Sequence, residues 1–349
     1  MKNFHIQWHL LNRCNLRCSH CYQYDYSKND ELSIQQLKSI ADNLDRTMRR
    51  WGSKLNLLLT GGEPLLKEDL FELMNYLETR KNIIEVDIIT NATLLSSKIK
   101  QLEKFKKCKN ILFSLEGVSA NTNDRIRGEG VFEKVIEQIK YIDSKRFKKI
   151  LMFTISKKNY EDAFKLIDFG KKYGLDAVII EKLVPIGQSE DDFSNVLTKN
   201  MLRKIWDYLL IENGYDIAKS YEFRALKIEF KQKSYFTKFF KNKFNFKNKE
   251  KIKTSIKVAN CIVGKDGAAI MPDGSVYPCR RLPISIGNLL DKEFYEIFEN
   301  SKILKDLKNK DLLKGKCKEC DAKDCFGCKA MVYAVKKDLF SQDPHCWKS

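Results

Sequence analysis

The chain has 349 residues and a formal net charge of +18, with the apolar content of an ordinary globular protein. That length suffices for a catalytic domain with its own core and a smaller second unit. No apolar run reaches the roughly 18 residues of a membrane span, and MKNFHIQWHLLNRC lacks a signal peptide's apolar stretch and cleavage site, so a cytoplasmic protein is expected.

FHIQWHLL alternates and reads as a strand running into the loop NRCNLRCSHCYQ (residues 12–23), which carries Cys14, Cys18 and Cys21. Ser33 is expected to cap a helix reaching about Trp51, with Leu37, Ile40, Leu44 and Met48 on one face. KLNLLLT then predicts a buried strand, residues 68–79 a helix, IIEVDIIT a strand, 96–105 a helix and NILFSLEG a strand. A helix over 131–142, the strand KKILMFTI, a helix over 160–172 and the strand LDAVIIEKLV complete the series. Strands alternating with helices predict right-handed βαβ units on a parallel sheet. Six of them give an α/β fold, a partial (β/α)6 barrel short of the full eight.

The pattern weakens after Gly187. Residues 191–255 are expected to form a helical, basic bridge between a first domain over 1–190 and a last one over 256–349. Between Lys227 and Lys257 eleven lysines face two glutamates, with Phe and Tyr interleaved, which carries half of the charge excess. Such a run suits either a solvated connector or a contact surface for an acidic peptide or nucleic acid, and the connector is the expectation. From Asn260 onward the chain is rich in turns and cysteine, and AAIMPDGSVYPC predicts a hairpin turning at Pro272-Asp273-Gly274.

Open α/β sheets and barrels bind ligands at the carboxyl ends of their strands. The cysteine triple follows the first strand, TGGEP (60–64) the second, TNA (90–92) the third and SLEG (114–117) the fourth. Soft thiolates select zinc, cuprous copper or iron–sulfur clusters. Three on one loop can hold three irons of a four-iron cubane and leave the fourth for a small ligand; a zinc loop completed by His20 or a distant residue uses the same thiols. Cys108 stands apart as a small buried hydrophobe.

C-x3-C-x2-C after a first strand, with GGEP after the second, resembles the radical S-adenosylmethionine (SAM) superfamily over about residues 5–187. The resemblance implies that Cys14, Cys18 and Cys21 ligate a [4Fe–4S] cluster that reductively cleaves SAM. By the same likeness His20 packs near the adenine or simply within its loop. Gly61, Gly62 and Glu63 hold the methionine amino group through backbone carbonyls, and Pro64 stiffens the turn. Asn91 and Ser114 stand where relatives contact methionine or ribose. Arg127 pairs with the methionine carboxylate or lies on the surface. Glu116 has a catalytic part facing the substrate, or is a capping or solvated carboxylate.

The later cysteines, Cys261, Cys279, Cys317, Cys320, Cys325, Cys328 and Cys346, resemble a SPASM domain, although the middle run and the first gap depart from its usual spacing. The resemblance implies two auxiliary iron–sulfur clusters. Cys317, Cys320, Cys325 and Cys346 would close the outer one and Cys261, Cys279 and Cys328 hold the inner one. A zinc ribbon over Cys317–Cys328 is the alternative.

The expected activity is maturation of a ribosomally made peptide, with thioether formation leading. Epimerisation, carbon–carbon crosslinking, sulfatase maturation and a small-molecule substrate in a cofactor or tetrapyrrole pathway are rivals, and a zinc-binding, nucleic-acid-associated protein is the non-enzymatic one. A flavodoxin- or ferredoxin-like electron donor is implied. With the chain starting at the first strand, leader recognition is expected to lie elsewhere, in a separate peptide-recognition protein, or not to be needed.

Overall fold

The computed structural model describes residues 3–211, 225–231, 253–259, 261–322 and 325–348. Six strands, β1 (Asn3–His9), β2 (Lys54–Thr60), β3 (Ile83–Thr90), β4 (Asn110–Ser114), β5 (Lys148–Ile155) and β6 (Ala177–Lys182), lie side by side in that order, all parallel. The helices between them are α1 (Ile34–Trp51), α2 (Leu70–Glu78), α3 (Leu95–Leu102), α4 (Ala120–Arg127), α5 (Val131–Gln138) and α6 (Leu166–Lys172). Gln7 of β1 and Glu181 of β6 line the same cavity although five strands' widths separate them along the sheet, so the sheet curls into the expected partial barrel.

Alternation along each strand sorts the two faces. Ile111 and Phe113 of β4 point outward into the core shared with the helices, and Leu112 points inward with Ile150 and Ala177. Each such Leu, Ile or Phe contributes about 1.5–3 kcal/mol on full burial. α1 begins as the sequence predicts: the Ser33 hydroxyl accepts from the Gln36 amide at 3.3 Å, and the Gln36 side chain accepts from the Ser33 amide at 2.9 Å. α4 was not expected, because ANTNDRIR has no apolar period; it buries Asn123, Ile126 and Arg127. The segment expected as one helix over 160–172 starts as a 3-10 stretch, Lys157–Lys165, before α6.

The bridge departs from expectation. After α7 (Lys199–Ile211), residues 226–231 and 253–255, expected within the helical, basic bridge, lie in strands β7 (Leu226–Lys231) and β8 (Lys253–Val258), and β8 runs across the expected boundary at 256. They extend the sheet antiparallel beyond β6, burying Leu226, Ile228, Phe230 and Ile256. The lysines from Lys233 to Lys251 lie outside the described residues.

The C-terminal part is joined to the same sheet. β9 (Gly267–Ile270) pairs parallel with β1, from His5 opposite Gly267 to Trp8 opposite Ile270. β10 (Ser275–Tyr277) returns antiparallel through the expected turn, where Gly274 has φ +85°, and β11 (Gly287–Asn288) pairs with it. Three helices follow, α8 (Phe294–Asn300), α9 (Lys302–Asp306) and α10 (Lys329–Lys336). Phe294 and Phe298 close on Phe4 and Trp51, and Leu282, Leu304, Leu307 and Met331 form a second core with Val184 and Ile186. Among the described residues no helix is long and apolar enough to cross a membrane.

Candidate active site

The cysteine loop is tied down at both ends. The Gly62 amide donates to the Leu11 carbonyl at 2.8 Å and the Glu63 amide to the Arg13 carbonyl at 2.9 Å. At the far end the Gln188 amide donates to the Cys21 carbonyl at 2.8 Å, and in the middle the Ser19 amide donates to Ile126 of α4 at 2.9 Å. The loop backbone passes so close that a Cβ on Gly62 would meet the Arg13 carbonyl, and one on Gly187 the backbone of Tyr22. Arg13 is fixed by a two-pronged pair with Glu31, which Lys67 also approaches. A loop pinned at strand ends by backbone contacts holds its side chains in set positions, as a three-point metal site needs.

Cys14, Cys18 and Cys21 line one cavity of about 140 Å³ with His20, Gly61, Gly62, Asn91, Ser114, Glu116 and Arg127. The structure therefore brings the expected residues together, with Glu63 and Pro64 just beneath. The Asn91 amide group lies 3.7 Å from the Cys14 sulfur and donates to Asn15 at 2.8 Å. Burial pushes Cys18 up to about 11 against the lowering effect of Arg127, and burial also raises Cys14.

The Glu63 carboxylate turns away from the cavity. It accepts from the Thr90 hydroxyl and the Asn91 amide, each at 2.7 Å, and from Leu65 at 3.1 Å, so it laces the ends of β2 and β3 together. Burial raises it to about 7 despite those bonds.

Glu116 is neither capping nor solvated. Only 1% exposed, it accepts from Arg127 at 2.6 Å and lies 3.4 Å from the His20 Nε2. Burial alone would raise it, but Arg127 and His20 bring it down to about 2. Arg127 likewise is buried, not a surface residue. Its Nε and the Nδ1 of His20 are buried with no partner, on side chains that line the cavity. The orphaned Arg127 Nε donor beside three thiols fits a polar ligand with an anionic group, as SAM is.

Sequence reasoning missed Gln7, Tyr22, Thr154, Glu181, Lys182, Arg280 and Arg281, which also line the cavity. The signal existed: Gln7 interrupts an apolar strand, Glu181-Lys182 ends one, and Arg280-Arg281 directly follows Cys279.

The remaining cysteines fall into two groups. Cys317, Cys320, Cys325 and Cys346 surround a cavity of about 410 Å³, and Cys261, Cys279 and Cys328 line one of about 310 Å³. Among the described residues no three His, Cys, Asp or Glu side chains stand ready to hold a single metal ion. Thiols gathered in these numbers are ligand sets for iron–sulfur clusters. Cys108 is buried outside all three sites, as expected.

The model of the radical SAM superfamily matches residues 8–197, and that of an iron-sulfur cluster-binding domain, SPASM, matches residues 261–321. The chain belongs to the radical SAM superfamily. A radical SAM fold binds SAM and a four-iron cluster, and its SPASM domain binds auxiliary clusters. This enzyme is 29% identical to the AdoMet-dependent heme synthase of Methanosarcina barkeri, over 98% of this chain and 95% of that one. It is 24% identical to the mycofactocin maturase MftC of Mycolicibacterium smegmatis, over 98% and 82%. Native anSMEcpe with bound AdoMet and Kp18Cys peptide shares the fold, with a TM-score of 0.70 and 18% identity over 99% of this chain and 94% of that one.

Proposed function

We propose that this radical SAM enzyme matures a ribosomally made peptide by joining a substrate cysteine to a neighbouring residue through a thioether. When bound, SAM and the clusters supply a 5′-deoxyadenosyl radical that takes one hydrogen atom from the substrate, and an acceptor for the electron released as the carbon–sulfur bond forms and the thiol proton departs. The chain's part is to hold and exclude. Cys14, Cys18 and Cys21 hold the first cluster, Arg127 takes the methionine carboxylate, and His20, Asn91 and Ser114 bound the nucleoside and methionine. The backbone at Gly61, Gly62 and Glu63 receives the amino group. Glu116 positions Arg127 and His20 rather than meeting substrate.

The observation that carries this reading is the inner cavity: three thiols, with a wall shared with the SAM cavity. A three-thiol site keeps a position for a donor from the substrate, and a cysteine thiolate is such a donor. The mycofactocin maturase relative and the peptide-bound neighbour support a peptide substrate. An electron donor of the flavodoxin or ferredoxin type and a separate leader-binding protein are proposed partners.

A second reading, a small-molecule substrate in a tetrapyrrole pathway, is favoured by the heme synthase relative, which matches over almost the whole of both chains. Anaerobic incubation of reduced enzyme with SAM and cysteine-containing precursor peptides, followed by mass spectrometry, separates the two. Loss of two hydrogens together with an alkylatable thiol supports the thioether. Unchanged peptides beside consumption of iron coproporphyrin III would overturn it in favour of the second reading.

A further inference from the structure

Gln7 stands in the middle of β1 between Ile6 and Trp8, which point outward into the core. By alternation its own side chain points inward, and it lines both the SAM cavity and the inner three-thiol cavity. Across the sheet it lies level with Leu58 of β2 and Ala269 of β9, so it is a polar residue set between apolar ones. One side-chain hydrogen bond holds it: Arg280 donates to the Gln7 Oε1 at 2.8 Å. Arg280 spans the open side of the barrel and is anchored in turn by Glu181 of β6.

A guanidinium only donates, so the atom that faces Arg280 is the amide oxygen, and the rotation of the amide is settled. The Gln7 Nε2, with its two N–H groups, is thereby turned away from Arg280. Among the described residues no acceptor meets it. Ligand cavities are mostly apolar, with a few fixed polar groups that orient the ligand. An amide held at its oxygen and free at its nitrogen is such a group, and it carries no charge. It therefore suits a neutral carbonyl oxygen, whereas a carboxylate is matched by a charged donor.

Resting on the reading that the substrate is a peptide lying between the two cavities, we propose that Gln7 binds a main-chain carbonyl oxygen of the substrate. Every residue of a peptide carries that acceptor. The contact therefore fixes which residue stands between the SAM cavity and the inner site without reading its side chain. Glu181 and Arg280 act through Gln7, as the support that keeps its N–H groups aimed into the cavity.

The test is binding to iron-loaded enzyme with SAM and no reductant, so that turnover plays no part. The probes are the capped peptide acetyl-Gly-Cys-Gly-amide and 1-propanethiol, a thiol without a carbonyl. Gln7→Glu keeps an oxygen for Arg280 and removes both N–H groups. Gln7→Met removes both N–H groups and adds no charge. Each should weaken the peptide about tenfold and leave propanethiol unchanged. Binding of SAM alone, measured separately, should match the parent in both. Peptide affinity unchanged in both variants overturns the proposal. So does loss in Gln7→Met alone, which is the effect of a displaced Arg280, or in Gln7→Glu alone, which is the effect of an added charge. Weaker SAM binding in both assigns the carbonyl to SAM and overturns it as well. A parent that binds SAM and not the peptide overturns the peptide reading itself, an outcome distinct from the others.

Discussion

Gly62 lies under Arg13 with no space for a side chain: a Cβ there would stand 2.0 Å from the Arg13 carbonyl oxygen and 2.5 Å from that of Asn12. The obstacle is backbone, which cannot swing aside, and it is the backbone that aims Cys14. Gly62→Ala should therefore cost at least about 1–3 kcal/mol, the usual penalty of overpacking. It should also lower occupancy of the first cluster while the C-terminal sites fill normally. Thermal melting and iron analysis check both, and parent-like values would mean that the loop is not held as described.

Three four-iron clusters correspond to about twelve irons per chain. Replacing Cys14, Cys18 and Cys21 together by Ala should leave about eight and abolish 5′-deoxyadenosine formation under reducing conditions. Normal SAM cleavage by the triple variant would place the radical-generating site elsewhere. Stoichiometric zinc in place of iron would refute the cluster assignments.

The grouping of the later cysteines predicts a pattern of non-additivity. Cys261→Ala combined with Cys328→Ala should lose no more iron than Cys328→Ala alone, because both thiols line one cavity. Cys320→Ala combined with Cys328→Ala should lose about twice as much, since the two serve different clusters. The reverse order would regroup the ligands.

The buried pair of Arg127 and Glu116 sets up a double-mutant cycle. Arg127→Met or Glu116→Gln alone should cost about 3–5 kcal/mol, because each leaves a charge buried without its partner. The double variant should recover a clear part of that loss, measured by denaturant unfolding. Simple additivity would show that the pair is not coupled.

His9 is 1% exposed, and burial, reinforced by Arg280, brings it down to about 3 from an ordinary 6.5. The folded protein keeps it neutral, so between pH 6.5 and 3 the unfolded chain binds more protons there. Its contribution to stability is complete above pH 6.5 and is lost as pH falls, by about 1.4 kcal/mol per unit. His9→Phe retains a ring against Tyr22 and removes the titration. Relative to the parent, the variant should gain about 2 kcal/mol on going from pH 8 to pH 5. A stability difference that does not change with pH would show that His9 titrates normally.

The first half of the fold was legible because strands such as KLNLLLT, IIEVDIIT and KKILMFTI coincide residue for residue with β2, β3 and β5. Their apolar runs are dictated by one face buried against the helices and another, partly buried, lining the barrel interior, a signal local to the sequence. The motif residues were legible through their place at strand ends. What stayed hidden depends on partners remote in the chain. β7 and β8 are lysine-bearing, and only pairing, of β7 with β6 and of β8 with β7, makes them strands. For Glu116 and Arg127 the sequence left a site role and a solvated or surface position both open, because their reason for burial is each other. Arg280 reads as a residue after a cysteine, and nothing near it in sequence reveals that it bridges β1 and β6.

The parallel pairing of β9 with β1 has a consequence for how the protein is made. During synthesis, the edge of β1 opposite β2 waits for a partner that emerges about 260 residues later. At ribosomal speeds of about 5–20 residues per second, that interval is roughly 13–50 seconds. Throughout it the nascent barrel presents an unpaired strand edge, a known invitation to misassociation. A contact closed over so long a loop also slows folding. The SPASM segment thus completes the barrel as well as carrying thiols, and a chain stopped before Gly267 should expose β1 rather than release a self-sufficient catalytic domain.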